Sequence, residues 1–174
     1  MPPLPLIVHP PNFNMTLPIP STSFLTIAID PGVNGGVVWH YEGQVHAVKM
    51  PPTDFDVAAL LVSLAGKSAL VELFLELPPL YCGKNIPGSS IGKLMANYGV
   101  CYGAAAALGM KIHPVRPAIW MKAHPIGTKG ELTTTQWKNK LKGRAAELYP
   151  DTAVTLATAD ALLLLDAGLR KAIN

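Results

Sequence analysis

Three carboxylates set where apolar segments begin or end constrain this chain more than any other feature. Asp30 follows the run Phe24 to Ile29 (FLTIAI), directly before Pro31-Gly32. Glu76 stands near the end of Ser68 to Leu77 (SALVELFLEL), before Pro78-Pro79, and Asp160 opens an apolar stretch within TLATADALLLLDAG. A carboxylate among buried side chains is costly unless it is paired, hydrogen-bonded or bound to metal. Only 11 of the 174 residues are acidic and 14% are charged, about half the usual share, so the position of each acid carries information. A fold that accommodates all three brings two strand ends together and lays a helix start against them. Each acid also has a plainer reading. Asp30 suits a turn before Pro-Gly, Asp160 suits the first turn of a helix by its dipole, and Glu72 competes with Glu76 from the same strand face. Glu76 is preferred because strand ends, not middles, face a site.

The rest of the pattern supplies an α/β frame. FLTIAI reads as a strand, and Gly35 to Tyr41 and Gln44 to Met50 flank a Glu42-Gly43 turn as a hairpin. Asp54 to Leu64 has helical spacing, with Asp54 as its expected N-cap, and Ser68 to Leu77 suits a central strand. A long helix is expected from Ser89 or Ser90 to Gly109, with Gly92, Ala96, Gly99, Gly103 and Ala107 as a small-residue stripe. Lys111 to Val115 reads as a fifth strand and Ala118 to Lys122 as a helical turn. Thr133 to Leu148 is amphipathic, burying Trp137, Leu141, Ala145 and Leu148, and Thr158 caps a last helix reaching Lys171. At 49% hydrophobic, the chain can build one domain with a sizeable core, a mixed sheet covered by helices.

Seven of the 17 prolines fall in the first 20 residues, so residues 1–22 are expected to form a proline-rich tail and residues 23–174 the domain. The tail has neither the charged start nor the unbroken apolar helix of a secretory signal. Leu94 to Met110 is uncharged but spans only 17 residues and contains Asn97, short of the roughly 20 apolar residues a membrane helix needs; a buried helix is expected there, and no membrane partner. Cys82 and Cys101 read as reduced packing residues, and His113 and His124 lack partners at zinc-ligand spacing.

The net charge of +3 conceals a segregation. Between Lys84 and Arg144 lie ten Lys or Arg and one acid, Glu131; the remainder holds four basic and ten acidic residues. Such clustering is the footprint of a phosphate-binding surface. Lys138, Lys142 and Arg144 lie off the buried face of their helix, and Lys84 follows Glu76 in a loop. Lys122 and Lys129 lie about a Gly- and Pro-containing loop suited to clamp nucleic acid, and Lys93 and Arg116 complete the expected contacts. Tyr81 is the open candidate for base stacking, with Trp120 and Tyr98 better suited to packing.

The run Ala28-Ile29-Asp30-Pro31-Gly32-Val33-Asn34-Gly35-Gly36 resembles the first motif of RuvC-type Holliday-junction resolvases, of the RNase H-like nuclease superfamily. Leu75-Glu76-Leu77-Pro78 resembles their second acidic motif, and Thr158 to Leu163 their last. Asn97-Tyr98-Gly99, Val115-Arg116-Pro117, Trp120-Met121-Lys122 and Ala145 to Pro150 resemble the phage-type branch. The resemblance spans Leu25 to Gly168. It implies a five-stranded RNase H-like mixed sheet flanked by helices and a homodimer cutting opposed strands of branched DNA with Mg²⁺, for which Mn²⁺ is expected to substitute. Asp30, Glu76 and Asp160 would be the catalytic metal ligands. It also implies an intracellular setting, the cytoplasm or nucleoid of a bacterial or phage-infected cell, with an organelle left open. The chain departs from the pattern at a fourth acid or His, which falls near Ala157; Asp151 is the nearest substitute in sequence.

The leading expectation is a metal-dependent, structure-selective endodeoxyribonuclease acting on four-way junctions. A nuclease on RNA–DNA hybrids or flaps, and a catalytically weak junction-binding protein, are its rivals. A sugar-kinase-like ATPase shares the opening strand and hairpin but would need a second phosphate-binding hairpin.

Overall fold

A computed structural model describes residues 23–79 and 87–173. The elements follow the order β1 (Leu25–Asp30), β2 (Gly36–Tyr41), β3 (Gln44–Lys49), α1 (Asp54–Ala65), β4 (Val71–Glu76), α2 (Gly88–Ala107), β5 (Lys111–Val115), α3 (Pro117–Lys122), α4 (Thr134–Leu148) and α5 (Ala159–Leu169). The sheet order is β3-β2-β1-β4-β5. The β1-β2-β3 hairpins are antiparallel, whereas β1-β4 and β4-β5 are parallel. This is the five-stranded mixed sheet expected from the sequence.

Strand alternation sorts two cores. Ile27, Ile29, Leu73 and Leu75 face α1 and α2, where they meet Val57, Leu61, Leu64, Cys101 and Ala105. Ala28, Val38 and Phe74 face the opposite layer, against Trp120 of α3, Trp137, Leu141 and Ala145 of α4, and the leucines of α5. α5 is buried almost all round, from Ala159 through Leu165, because it lies between the sheet and the helices outside it. His124, also buried, has Nε2 2.9 Å from the Leu163 carbonyl and joins the loop after α3 to α5.

Several boundaries differ from the sequence expectation. The cap of α1 is Thr53, whose hydroxyl accepts from the Asp56 amide; Asp54 is already the first helical residue. β4 begins three residues later than expected because Ser68 turns its hydroxyl to the Ser23 and Leu70 carbonyls. α2 starts at Gly88 after Pro87 without a side-chain cap, and α5 stops at Leu169, before Lys171 takes a positive φ of 54°. Nor is α2 enclosed. It buries Cys101 and Ala105, whereas a Cβ added at Gly92, Gly99 or Gly103 would meet nothing within 4 Å among the described residues. One face of the helix suffices to cover the sheet beside α1. Cys82 lies outside the described residues, and Cys101 is a buried free thiol pushed up to about 12 by burial. No helix among the described residues is long and apolar enough to cross a membrane.

Two glycines set how close α5 comes to the sheet: Gly168 of α5, against the Phe74 ring, and Gly36 of β2. A Cβ at Gly36 would lie 2.8 Å from the Ala157 carbonyl oxygen, 2.9 Å from that of Val48 and 3.3 Å from Thr158 Cα. Backbone on both sides leaves no flexible neighbour to yield. Gly36→Ala should therefore destabilise the fold by about 1–3 kcal/mol, as overpacking does, measured by chemical denaturation against an exposed control such as Gly43→Asn. An unchanged midpoint would show that the start of α5 is not held by this contact.

Candidate active site at the carboxyl edge of the sheet

The parallel register pairs Ile29 with Leu75, so Asp30 and Glu76 are the next residues along neighbouring strands. Both share the parity of Ala28 and Phe74, and both therefore emerge on the α3–α5 side. Asp160 lies in the first turn of α5, 5% exposed. The turn before it is braced by Thr155 and Thr158, each accepting the other's amide on its hydroxyl. On the far side of Asp30, the Gly32 amide donates to Asn97 Oδ1 at 2.7 Å, and the Gly35 amide to the Gly32 carbonyl at 2.9 Å. The Asp30–Gly35 loop is thereby pinned to α2.

The electrostatics are those of acids crowded away from water. Burial pushes the Asp30 carboxyl well above the usual carboxylate range, and the charges of Glu76 and Asp160 push it further. Glu76 rises to about 7, through burial first and then Asp160; the Trp120 indole N–H, donating to Oε2 at 2.8 Å, opposes the rise. Lys138 of α4 supplies the counter-charge. Its ammonium pairs with Asp160 Oδ2 and also favours ionisation of Asp30 and Glu76. Burial works against the lysine's own charge, but Asp160, Asp30 and Glu76 outweigh it and hold its pKa above the ordinary value.

The donor set is chemically suited to a divalent ion. Three carboxylates offer the hard oxygen ligands Mg²⁺ prefers, and among the described residues the buried Asp160 Oδ1 has no hydrogen-bond partner. A cation there would satisfy that oxygen and relieve the mutual repulsion of the acids. Among the described residues no three His, Cys, Asp or Glu side chains are already drawn to metal-ligand closeness. As arranged, the acids feel one another's charge and share the Lys138 ammonium.

Other expected site residues are distributed less simply. Lys138, expected to track a DNA backbone from the helix surface, is turned into the acid cluster instead. Arg144 is engaged along its own helix with Glu147 at 2.8 Å, and Lys129 donates to Thr134 Oγ1 at 3.1 Å. Lys93, Arg116 and Lys122 are exposed and Lys142 partly so; Tyr81 and Lys84 lie outside the described residues. Glu72 pairs with Lys111 at 2.6 Å and lies 3.4 Å from His113, near the amino end of β4 and away from the carboxyl edge. Asp151 lines a cleft with Gly43 and Gln44 at the opposite end of the β2–β3 hairpin, so it does not stand in for an acid near Ala157. Trp120 is buried and Tyr98 stacks on Tyr102. The link from Trp120 to Glu76 joins residues 44 positions apart, and no local pattern announces it.

No protein family matches the chain by sequence, and no curated protein does. Solved structures match by shape. A "Thermus thermophilus RuvC structure" superimposes with a TM-score of 0.54 at 16% identity, covering 86% of this chain and 98% of that one. "T. thermophilus RuvC in complex with Holliday junction substrate" gives a TM-score of 0.51 at 16% identity, covering 82% of this chain and 90% of that one. The fold is the RuvC, RNase H-like arrangement.

The raised carboxyls predict a pH dependence. A carboxyl at about 7 in the fold against an ordinary 4.5 contributes stability that is complete below the lower value and lost as pH rises through the higher one. Asp30 acts in the same direction. In metal-free buffer the melting temperature should fall as pH rises between these values. Glu76→Gln should flatten that slope and raise the alkaline melting temperature by about 2–4 °C per kcal/mol relieved. Trp120→Phe, which removes an interaction favouring the Glu76 carboxylate, should move the transition to higher pH. An unaltered slope in Glu76→Gln would assign the titration to other groups.

Proposed function

We propose that this chain is a structure-selective endodeoxyribonuclease that hydrolyses a phosphodiester in four-way or related branched DNA. The observation that carries the reading is the gathering of Asp30, Glu76 and Asp160 from three elements at one sheet edge of a RuvC-type fold. The comparison protein bound to a Holliday-junction substrate supports branched DNA as the partner. Asp30, Glu76 and Asp160 would hold Mg²⁺, or Mn²⁺ in its place. A bound divalent ion there supplies activation of the attacking water and charge stabilisation at the phosphate.

The chain's own residues have separable tasks. Trp120 orients Glu76 by its indole N–H and favours the ionised form. Lys138 orients Asp160 and places a positive charge beside the reacting phosphate. Exposed Lys93, Arg116 and Lys122 and the partly exposed Lys142 favour phosphate over base contacts, so recognition is by shape more than by sequence. The proposal extends to a homodimer carrying two such sites, to the phage-type branch, and to an intracellular setting; these rest on the motif resemblance. Tyr81 and Lys84 remain proposed DNA contacts from the loop after Glu76.

A second reading is favoured by Ala157 and by the occupation of Asp160 by Lys138, which leave the site short of one acid: a junction-binding protein of weak activity. Incubating the protein with labelled four-way junction, matched duplex and RNA–DNA hybrid, with and without Mg²⁺, separates the readings. Junction-only cleavage requiring Mg²⁺ is expected, with Asp30→Asn, Glu76→Gln and Asp160→Asn each losing at least about a hundred-fold in rate while still binding, the scale of losing charge stabilisation at the transition state. Tight binding without cleavage, restored by Ala157→Asp, selects the second reading. Preferential hybrid cleavage selects a ribonuclease, and equal affinity for junction and duplex defeats both junction readings.

A further inference from the structure

Three clefts, of about 440, 620 and 770 Å³, surround the loop at residues 31–35 beside the acid cluster. They share walls in pairs, and each shared wall carries a lysine. Lys93 separates the first from the third, Lys138 the first from the second, and Lys49 the second from the third. Lys142 adds a third lysine to the 620 Å³ cleft. The loop therefore stands as a post in a basic moat, with Asp30 on the floor of one side.

The lysines differ in availability. Lys138 is already engaged in an ion pair with Asp160. Lys49, Lys93 and Lys142 enter no ion pair among the described residues. Lys49 is exposed at the last position of β3, in register with Gly36, and so lies beside the backbone of Ala157 that Gly36 admits. The acids lining the moat are Asp30, in the cluster itself, and Asp54, in the first turn of α1. An uncharged Ala157 keeps the 620 Å³ cleft positive where an acid would oppose phosphate.

We infer that the cleaved DNA strand wraps the loop at residues 31–35, with Lys93 holding its backbone on one flank and Lys49 and Lys142 on the other. Lys49 is thus a phosphate-binding residue from the hairpin, outside the basic stretch of the chain, and the strand's turn around the post presents one phosphate to Asp30. The inference rests on the nuclease reading and specifies how its substrate lies.

The test is equilibrium binding of a fluorescent four-way junction without divalent ions over a potassium chloride series. Lys49→Gln, Lys93→Gln and Lys142→Gln are compared with Lys49→Arg and with Lys67→Gln, a control near Tyr41 at the far end of the hairpin. Each phosphate contact contributes about 0.9 to the slope of log Kobs on log salt, so Lys49→Gln should flatten it by about that amount and lose about five- to ten-fold in affinity near 0.1 M salt. Lys49→Arg should retain both, and Lys67→Gln should match the wild type. A wild-type slope for Lys49→Gln, with Lys93→Gln and Lys142→Gln weakened, overturns the strand path and leaves DNA binding standing. Equal loss in Lys67→Gln also overturns it, as undirected charge attraction. No loss in any of the three moat variants, with the wild type binding, overturns the path alone, and absence of junction binding by the wild type overturns the DNA reading.

Discussion

The molecule is organised around the cost of holding three carboxylates together with little water at one edge of a sheet. Each such group, left charged and unpaired, would oppose folding by several kcal/mol. The fold meets this with one ammonium from α4 and one indole N–H from α3, while burial and mutual repulsion raise the pKa of Asp30 and Glu76. One acidic oxygen, Asp160 Oδ1, finds no hydrogen-bond partner among the described residues. Among the described residues the balance is incomplete, and the proposed metal-assisted chemistry would draw on that imbalance.

The surrounding structure serves that edge. Parallel pairing of β1 and β4 brings two strand ends to the same side, and the common parity of Asp30 and Glu76 turns both toward the layer of α5. The small residues at Ala28 and Gly36 let α5 approach the sheet closely enough for its first turn to deliver Asp160. Outside this centre, the pinned loop at residues 31–35 is flanked by lysines. The positive surface and the acid cluster are thus interleaved, and the near-neutral charge of the whole chain reflects their partial cancellation.

Much of this was legible locally. Alternation and turn residues located every strand, and the Trp137, Leu141 and Ala145 spacing identified the buried face of α4. Acid placement identified the members of the cluster, because few charges in an apolar chain make each one conspicuous. Capping was less legible: Thr53 and Asp54 are both good N-cap residues, and only the hydroxyl contact to Asp56 distinguishes them. The role of Lys138 was also hidden. Helical spacing placed it off the apolar stripe, which is true, but that side of α4 borders Asp160. Lys49 escaped attention because it belongs to the acidic remainder of the sequence and joins the basic surface only through the hairpin.

By itself, the amino-acid order determined the element types, the single mixed sheet and the three acids that must find company, because these depend on periodicity, turn chemistry and the price of desolvation. Tertiary structure decided who that company is. It chose Lys138 and Trp120 as partners, sent Glu72 to Lys111 and Asp151 to the opposite end, and set Lys49 beside the loop that carries Asp30. Those choices depend on which faces meet across the sheet and on how closely backbones approach at Gly36. Such relations exist only between segments distant in sequence, and no local pattern encodes them.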